Sequence, residues 1–212
     1  ISTEKQFKLN LSSAYQQSIH DDSKVRTYLA LAMGKTRDIF YGIFLIEGLN
    51  DNIIENRLAA IKSLGLIGYN DANDKLIEII KTSDNDEERL AATISIGQIG
   101  SSTSIPLLKN LLNDNEPNIR WDAAIALAKI GDKSGSSIIE LLLTRKYYTN
   151  FKEIDNWEEE QAILVAINVA GKISNDRINK NLEILAKTDK NMKIRDAALQ
   201  AIHKYNIEIN NG

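Results

Sequence analysis

The chain has 212 residues, 43% hydrophobic, 26% charged and 6% aromatic, with a formal net charge of −3. That apolar content supports a packed core and excludes wholesale disorder, and the length suits one domain or at most two. The absence of cysteine excludes disulfides, thiol nucleophiles and cysteine-ligated metal centres.

The chain begins at Ile1 rather than Met, as a fragment or processed product would, so a signal or anchor could precede it. Localisation is therefore open, with a lean to the cytoplasm. Residues 1–20 are interrupted by Glu4, Lys5, Gln6 and Lys8 and do not form a targeting segment themselves. No run of about 18 apolar residues occurs anywhere, so no membrane-spanning helix is expected. Only two prolines are present, which favours long uninterrupted elements over many short strands.

Along the chain one pattern recurs. Arg26-Thr-Tyr-Leu-Ala-Leu-Ala-Met-Gly34 is a first, weak copy. Arg57-Leu-Ala-Ala-Ile-Lys-Ser-Leu-Gly-Leu-Ile-Gly68 is followed by Arg89-Leu-Ala-Ala-Thr-Ile-Ser-Ile-Gly-Gln-Ile-Gly100. Arg120-Trp-Asp-Ala-Ala-Ile-Ala-Leu-Ala-Lys-Ile-Gly131 comes next. The spacing is 32 residues from Arg57 to Arg89 and 31 from Arg89 to Arg120. Ile163 to Ile173 keeps Ala166, Gly171 and Ile173 but lacks the arginine, and Arg195-Asp-Ala-Ala-Leu-Gln-Ala-Ile202 closes the series. Fixed-period similarity of this kind marks a repeat architecture.

Each unit reads as two helices. The apolar residues at 58, 61, 64 and 67 have helical spacing, and a second periodic stretch precedes each copy, as in Ile39, Phe40, Ile43, Phe44 and Ile46. Leu76 to Ile80 and Ile105 to Leu112 do the same. Paired alanines (59–60, 91–92, 123–124 and 197–198) let helices approach closely, and Gly68, Gly100 and Gly131 stand where a helix ends. Thr36 and Ser101–Ser102 are the expected caps of the elements that follow. An aspartate precedes the arginine by six residues at Asp51/Arg57, Asp114/Arg120 and Asp189/Arg195. Together with Arg89, these residues are expected to form a ladder of charge-assisted hydrogen bonds that holds the stack together.

Arg-x-x-Ala-x-x-x-Leu-Gly-x-Ile-Gly, with Asp six residues before the Arg, resembles the HEAT repeat, in the short bacterial form of phycobilisome-lyase-like proteins. The resemblance covers roughly residues 21–206, best in the middle three units. It implies an all-α fold: a right-handed α-solenoid of about six two-helix HEAT-like repeats, with the second helices lining a concave binding surface. The expected organisation is a single domain, 1–212, with units near 1–34, 35–68, 69–100, 101–131, 132–173 (carrying an insert at 144–157) and 174–206. The unit at 163 departs from the family pattern. Ile163 replaces the arginine and Trp157 the aspartate, so the ladder is expected to break there.

In a solenoid, function lies in surface rows. The position after the arginine and the one four residues on share a helix face, which puts Leu58, Leu90, Ile94, Trp121 and Ile125 in one stripe. That stripe is either packing between second helices or an apolar groove for a partner segment. The insert supplies Tyr147, Tyr148, Phe151 and Trp157, interleaved with Arg145, Lys146 and Lys152 and followed by Glu158–Glu160. It suits a protein hot spot, less well single-stranded nucleic acid, or a segment tucked back over the stack, with Asp155 or Asn156 capping the next helix. Asp84 to Glu88 opens a helix, where carboxylates belong. Lys187, Lys190, Lys193, Arg195 and Lys204 give a solvated end cap.

Catalysis finds little support. His20 and His203 lie near opposite ends and cannot share a metal, so no metal or cofactor is expected. The lack of His-Glu pairs speaks against a hydroxylase of the deoxyhypusine type. No Gly-rich phosphate loop occurs. Trp121-Asp122 is only faintly suggestive of a glycosylase, and the acidic balance speaks against nucleic acid. The expected function is a non-catalytic protein–protein interaction scaffold that binds a partner segment on the concave face and the insert loop. The alternative is a bilin or tetrapyrrole lyase or chromophore chaperone, and a nucleic-acid module comes third. The oligomeric state is left open.

Overall fold

The computed structural model describes residues 2–18 and 23–210, apart from the side chains of Ser23 and of 205–210; His20 lies outside the described residues. Among the described residues all regular structure is helical, and helices alternate as pairs, so the fold is an all-α repeat solenoid. The chain divides into two compact units, Ile1–Leu107 and Leu108–Gly212.

The first unit contains α1 (Thr3–Gln17), α2 (Ser23–Thr36), α3 (Gly42–Gly48), α4 (Ile54–Ile67), α5 (Asn73–Thr82) and α6 (Asp86–Ile99). Helix α3 packs on α4 and α5 on α6, while α4 has α2 and α6 as neighbours. The boundary between units falls inside α7 (Ile105–Leu111). The second unit continues with α8 (Pro117–Ile130), α9 (Ser136–Leu142), α10 (Arg145–Tyr148), α11 (Asn156–Ala170), α12 (Asp176–Thr188) and α13 (Met192–Asn210). There α8 packs on α9 and α12 on α13, and α11 touches both α8 and α13.

The helix boundaries follow from local chemistry. Pro117 is the first residue of α8, where its missing N–H costs nothing. Gly68, Gly100 and Gly131 end α4, α6 and α8 in the left-handed conformation, with φ of 67°, 77° and 91°. The caps differ from the expected residues. Asp38, not Thr36, caps the short turn Ile39–Tyr41, accepting from the Phe40 N–H at 3.0 Å, while the Thr36 hydroxyl donates to the Met33 carbonyl at 2.6 Å and accepts from the Asp38 N–H at 3.2 Å. Ser101 sits at the N-cap of the next such turn, but its hydroxyl meets Thr103 rather than the backbone. Asp155 caps α11 in a reciprocal box with Glu158.

In the first unit, neighbouring second helices meet backbone to backbone. A Cβ on Gly34 would lie 2.9 Å from the Ser63 Cα, and one on Gly65 would lie 2.7 Å from the Ser95 Cα. The approach is used twice for hydrogen bonding. Ser63 Oγ donates to the Ala30 carbonyl at 2.8 Å, and Ser95 Oγ donates to the Ile61 carbonyl at 2.9 Å. Buried hydroxyls need such partners, and here both bind the preceding second helix.

Candidate functional site

The repeated arginine works within its own repeat and beyond it. Arg57 Nη1 donates to the Asp51 carbonyl at 2.8 Å, Arg120 to that of Asp114 at 2.7 Å and Arg195 to that of Asp189 at 2.7 Å. The three aspartate carboxylates accept the N–H two residues on, from Ile53, Glu116 and Asn191. Orphan backbone groups of each inter-helix turn are thus satisfied from both sides. Between repeats, Arg26 Nε reaches Asp51 at 2.9 Å, and Arg57 pairs with Glu88, which also accepts from Ser83. Arg89 holds Asp86 at 2.8 Å.

The expected break at Ile163 is repaired. Arg145, in the insert helix α10, forks onto Asp189 with Nε and Nη2 at 2.7 and 2.8 Å, and also faces Glu159 and Glu160. Burial opposes the charge on Asp189, but the Arg145 fork and the Asn191 amide hold its carboxyl below the ordinary range. Glu88 follows the same pattern: burial opposes its charge, and Arg57 and Ser83 outweigh it.

The stripe proposed as a groove is mostly interior. Leu58, Trp121 and Ile125 are each 7% exposed, Leu90 is half-buried, and only Ile94 presents its side chain to solvent. The correction has a visible cause in the second unit, where the insert folds back. Tyr147, Tyr148 and Phe151 surround Trp121 with ring centroids 5.9, 5.8 and 5.1 Å away, in tilted or edge-on arrangements. The Trp121 indole N–H donates to the Tyr147 hydroxyl at 3.0 Å, and the Tyr148 hydroxyl donates to the Leu142 carbonyl at 3.0 Å. Burial pushes the Tyr148 phenol well above its ordinary pKa. Trp121 and Tyr148 are therefore core residues, and Tyr147 and Phe151 pack against that core. Trp157, at 68% exposure in the first turn of α11, is the insert aromatic left to solvent.

A different feature opens on the second helices of this unit. Between α11 and α13 lies a cleft of about 520 Å3 with Leu164, Ile167 and Ala197 among its lining, Asn168 and Gln200 on opposite walls, and Lys172 and Lys204 at its edge. The sequence reading gave Lys204 to a solvated end cap and did not single out Lys172. Their signal was readable, because Lys129, Lys172 and Lys204 each stand nine residues after the arginine position of three successive repeats. Beside them, burial raises the Asp122 carboxyl to about 6 despite the attraction of Lys129.

Among the described residues no helix is long and apolar enough to cross a membrane. The fold defines a helical-repeat protein of the stacked-pair class. The family model described as HEAT repeats matches residues 11–96 and 73–149, most of the chain, and the chain belongs to that family. The HEAT repeat-containing taxis protein of Halobacterium salinarum is 30% identical over 135 residues, which is 61% of this chain and 30% of that protein. The chain thus spans under a third of that relative's length. A solved structure, the complex of CpcE and CpcF of phycocyanin lyase from Nostoc sp. PCC7120, contains a chain with a TM-score of 0.57 and 18% identity; the match covers 91% of this chain and 86% of that one.

Proposed function

We propose that the protein is a non-catalytic interaction scaffold that holds a segment of a partner protein along its second helices. HEAT repeats generally mediate protein interactions, and that supports the coarse reading. The observation that carries the finer one is that, five residues after the arginine position, four of the repeats place an exposed side chain on a second helix. Lys62 and Ile94 in the first unit and Asn168 and Gln200 in the second are all exposed, while Ile125, at the same position of the repeat between them, is buried. Trp157 adds an exposed aromatic of the kind that anchors interfaces.

The test is affinity capture with the intact chain from its source cell, repeated with Ile94→Asp and with Trp157→Ala. Loss of the same specific partner from either variant supports the placement. Retention by both overturns it. Trp121→Ala is unsuitable, because it would open the core rather than probe the surface.

A second reading, a tetrapyrrole lyase or chromophore chaperone, is supported by the likeness of fold to a chain of the phycocyanin lyase complex. It predicts a change in visible absorbance when a bilin is added, and a flat titration disposes of it.

A further inference from the structure

We propose that the cleft between α11 and α13 binds an acidic segment of a partner protein, with its carboxylates on Lys172 and Lys204 and an apolar side chain on the floor formed by Leu164, Ile167 and Ala197. This rests on the scaffold reading and adds the chemistry of the partner.

The cleft exists because a contact made elsewhere is not made here. Gly34 and Gly65, eight residues after their arginines, press against serines of the next second helix. Gly171 holds the same position in its repeat, yet a Cβ added to it would meet nothing within 4 Å. The space beside it is the cleft of about 520 Å3, within the usual size of a ligand site.

Charge selects the occupant. Lys172 Nζ donates to the Lys129 carbonyl at 3.0 Å, which brings two cationic side chains together at one edge, and Lys204 lines the cleft beside Lys172. None of the three has a carboxylate within 4.0 Å among the described residues. Of the acids on α8, α11 and α13, Glu159 and Glu160 pair with Arg145 in the first turns of α11, Asp122 attracts Lys129, and Asp196 accepts from Gln200 at 2.8 Å. Burial and Lys172 together weaken the hold of Lys129 on its proton. Like charges set side by side in a chain of net negative charge are relieved by an anionic guest.

A peptide fits better than a nucleic acid. The floor is alkyl, and no aromatic ring lines the cleft to stack on a base. Asn168 on one wall and the carbonyl oxygen of Gln200 on the other can pair with main-chain N–H and C=O groups, which every peptide offers.

The experiment is fluorescence anisotropy of the intact chain with a labelled peptide alternating glutamate and leucine, beside two versions carrying glutamine or lysine for glutamate. The glutamate peptide is expected to bind, and to bind more weakly as salt is added. The Lys172→Glu/Lys204→Glu double variant is expected to weaken it by at least about tenfold, or about 1.4 kcal/mol. Lys81→Glu, on a first helix, leaves it unchanged. Both cleft lysines are exposed, so a thermal melt of the double variant should match the parent. Equal binding of the glutamine peptide, no binding of the glutamate peptide, or indifference to the double charge reversal overturns the proposal. So does preferential binding of a thymidine oligonucleotide. If the double variant still captures the cellular partner, the scaffold reading stands and this cleft assignment fails.

Discussion

In the N-terminal unit, neighbouring second helices touch through glycine and serine, whereas in the C-terminal unit the corresponding positions carry alkyl groups and an aromatic insert closes the core. Six residues after the arginine stand Ser63 and Ser95 in the first unit and Ala126 and Val169 in the second, all buried. The serines draw helices to backbone contact and lock them with hydrogen bonds to Ala30 and Ile61. Alanine and valine are buried equally but offer no hydroxyl for such a bond. The second arrangement leaves room for Trp121 to receive the insert rings and for the cleft beside Gly171. One repeat motif therefore supports two ways of packing second helices, and the proposed cleft lies where the serine contacts are absent.

The largest effect expected from breaking this arrangement is at Arg145. The Asp189 side chain is 1% exposed, and Arg145 is the group that forks onto it. Arg145→Ala strands that carboxylate, at a cost of about 3–5 kcal/mol. Arg145→Lys should recover only part, because an ammonium cannot reproduce the fork. Urea unfolding reads both, and a loss below about 1 kcal/mol would mean that the insert does not anchor this unit. The matching test in the first unit is Gly65→Ala. The added Cβ meets the Ser95 backbone at 2.7 Å, so the helices must part, at about 1–3 kcal/mol. Gly171→Ala should do the reverse. Its φ is −60° and its surroundings are open, so a gain of about 0.4–1 kcal/mol is expected. Equal penalties at the two glycines would erase the distinction between the units.

How far the fold and site were legible depended on how local the cause was. Arg57, Arg89, Arg120 and the glycines that close their helices carry the repeat within a dozen residues, and the helix pairs follow from them. The repair by Arg145 was not legible. Its partner Asp189 lies 44 residues on, and only the folded insert brings them together. Tyr148 and Phe151 read equally well as hot-spot or packing residues, because composition is the same in both cases. Their fate was set by Trp121, 27 and 30 positions earlier. The lysines beside the cleft were legible in register, at a constant offset from the arginine, but the space they border depends on Gly171 failing to meet the next helix.

Acid exposes a property common to both units. Asp51, Glu88 and Asp189 all have pKa values below the ordinary range, because arginines and backbone or side-chain donors outweigh the burial that opposes their charge. Their stabilisation is present above the unfolded value of about 4 and is lost as pH falls through the lower folded values. Stability should decline in both units below about pH 4. Added salt should blunt the decline little, because these pairs are partly buried.

The other pH effect belongs to the second unit alone and has the opposite sign. Burial raises the Asp122 carboxyl to about 6. Between the unfolded value of about 4 and that folded value, the unfolded chain has released a proton that the native state retains. Stability therefore falls as pH rises through this interval and is level above it. Asp122→Asn removes the ionisation and keeps the shape, so the variant should be more stable than the parent by up to about 3 kcal/mol near neutral pH. Near pH 4, where the parent carboxyl is protonated in the native state, the difference should vanish. Paired thermal melts across this range measure the crossover, and a difference independent of pH would assign the gain to something other than a buried carboxylate beside Lys129.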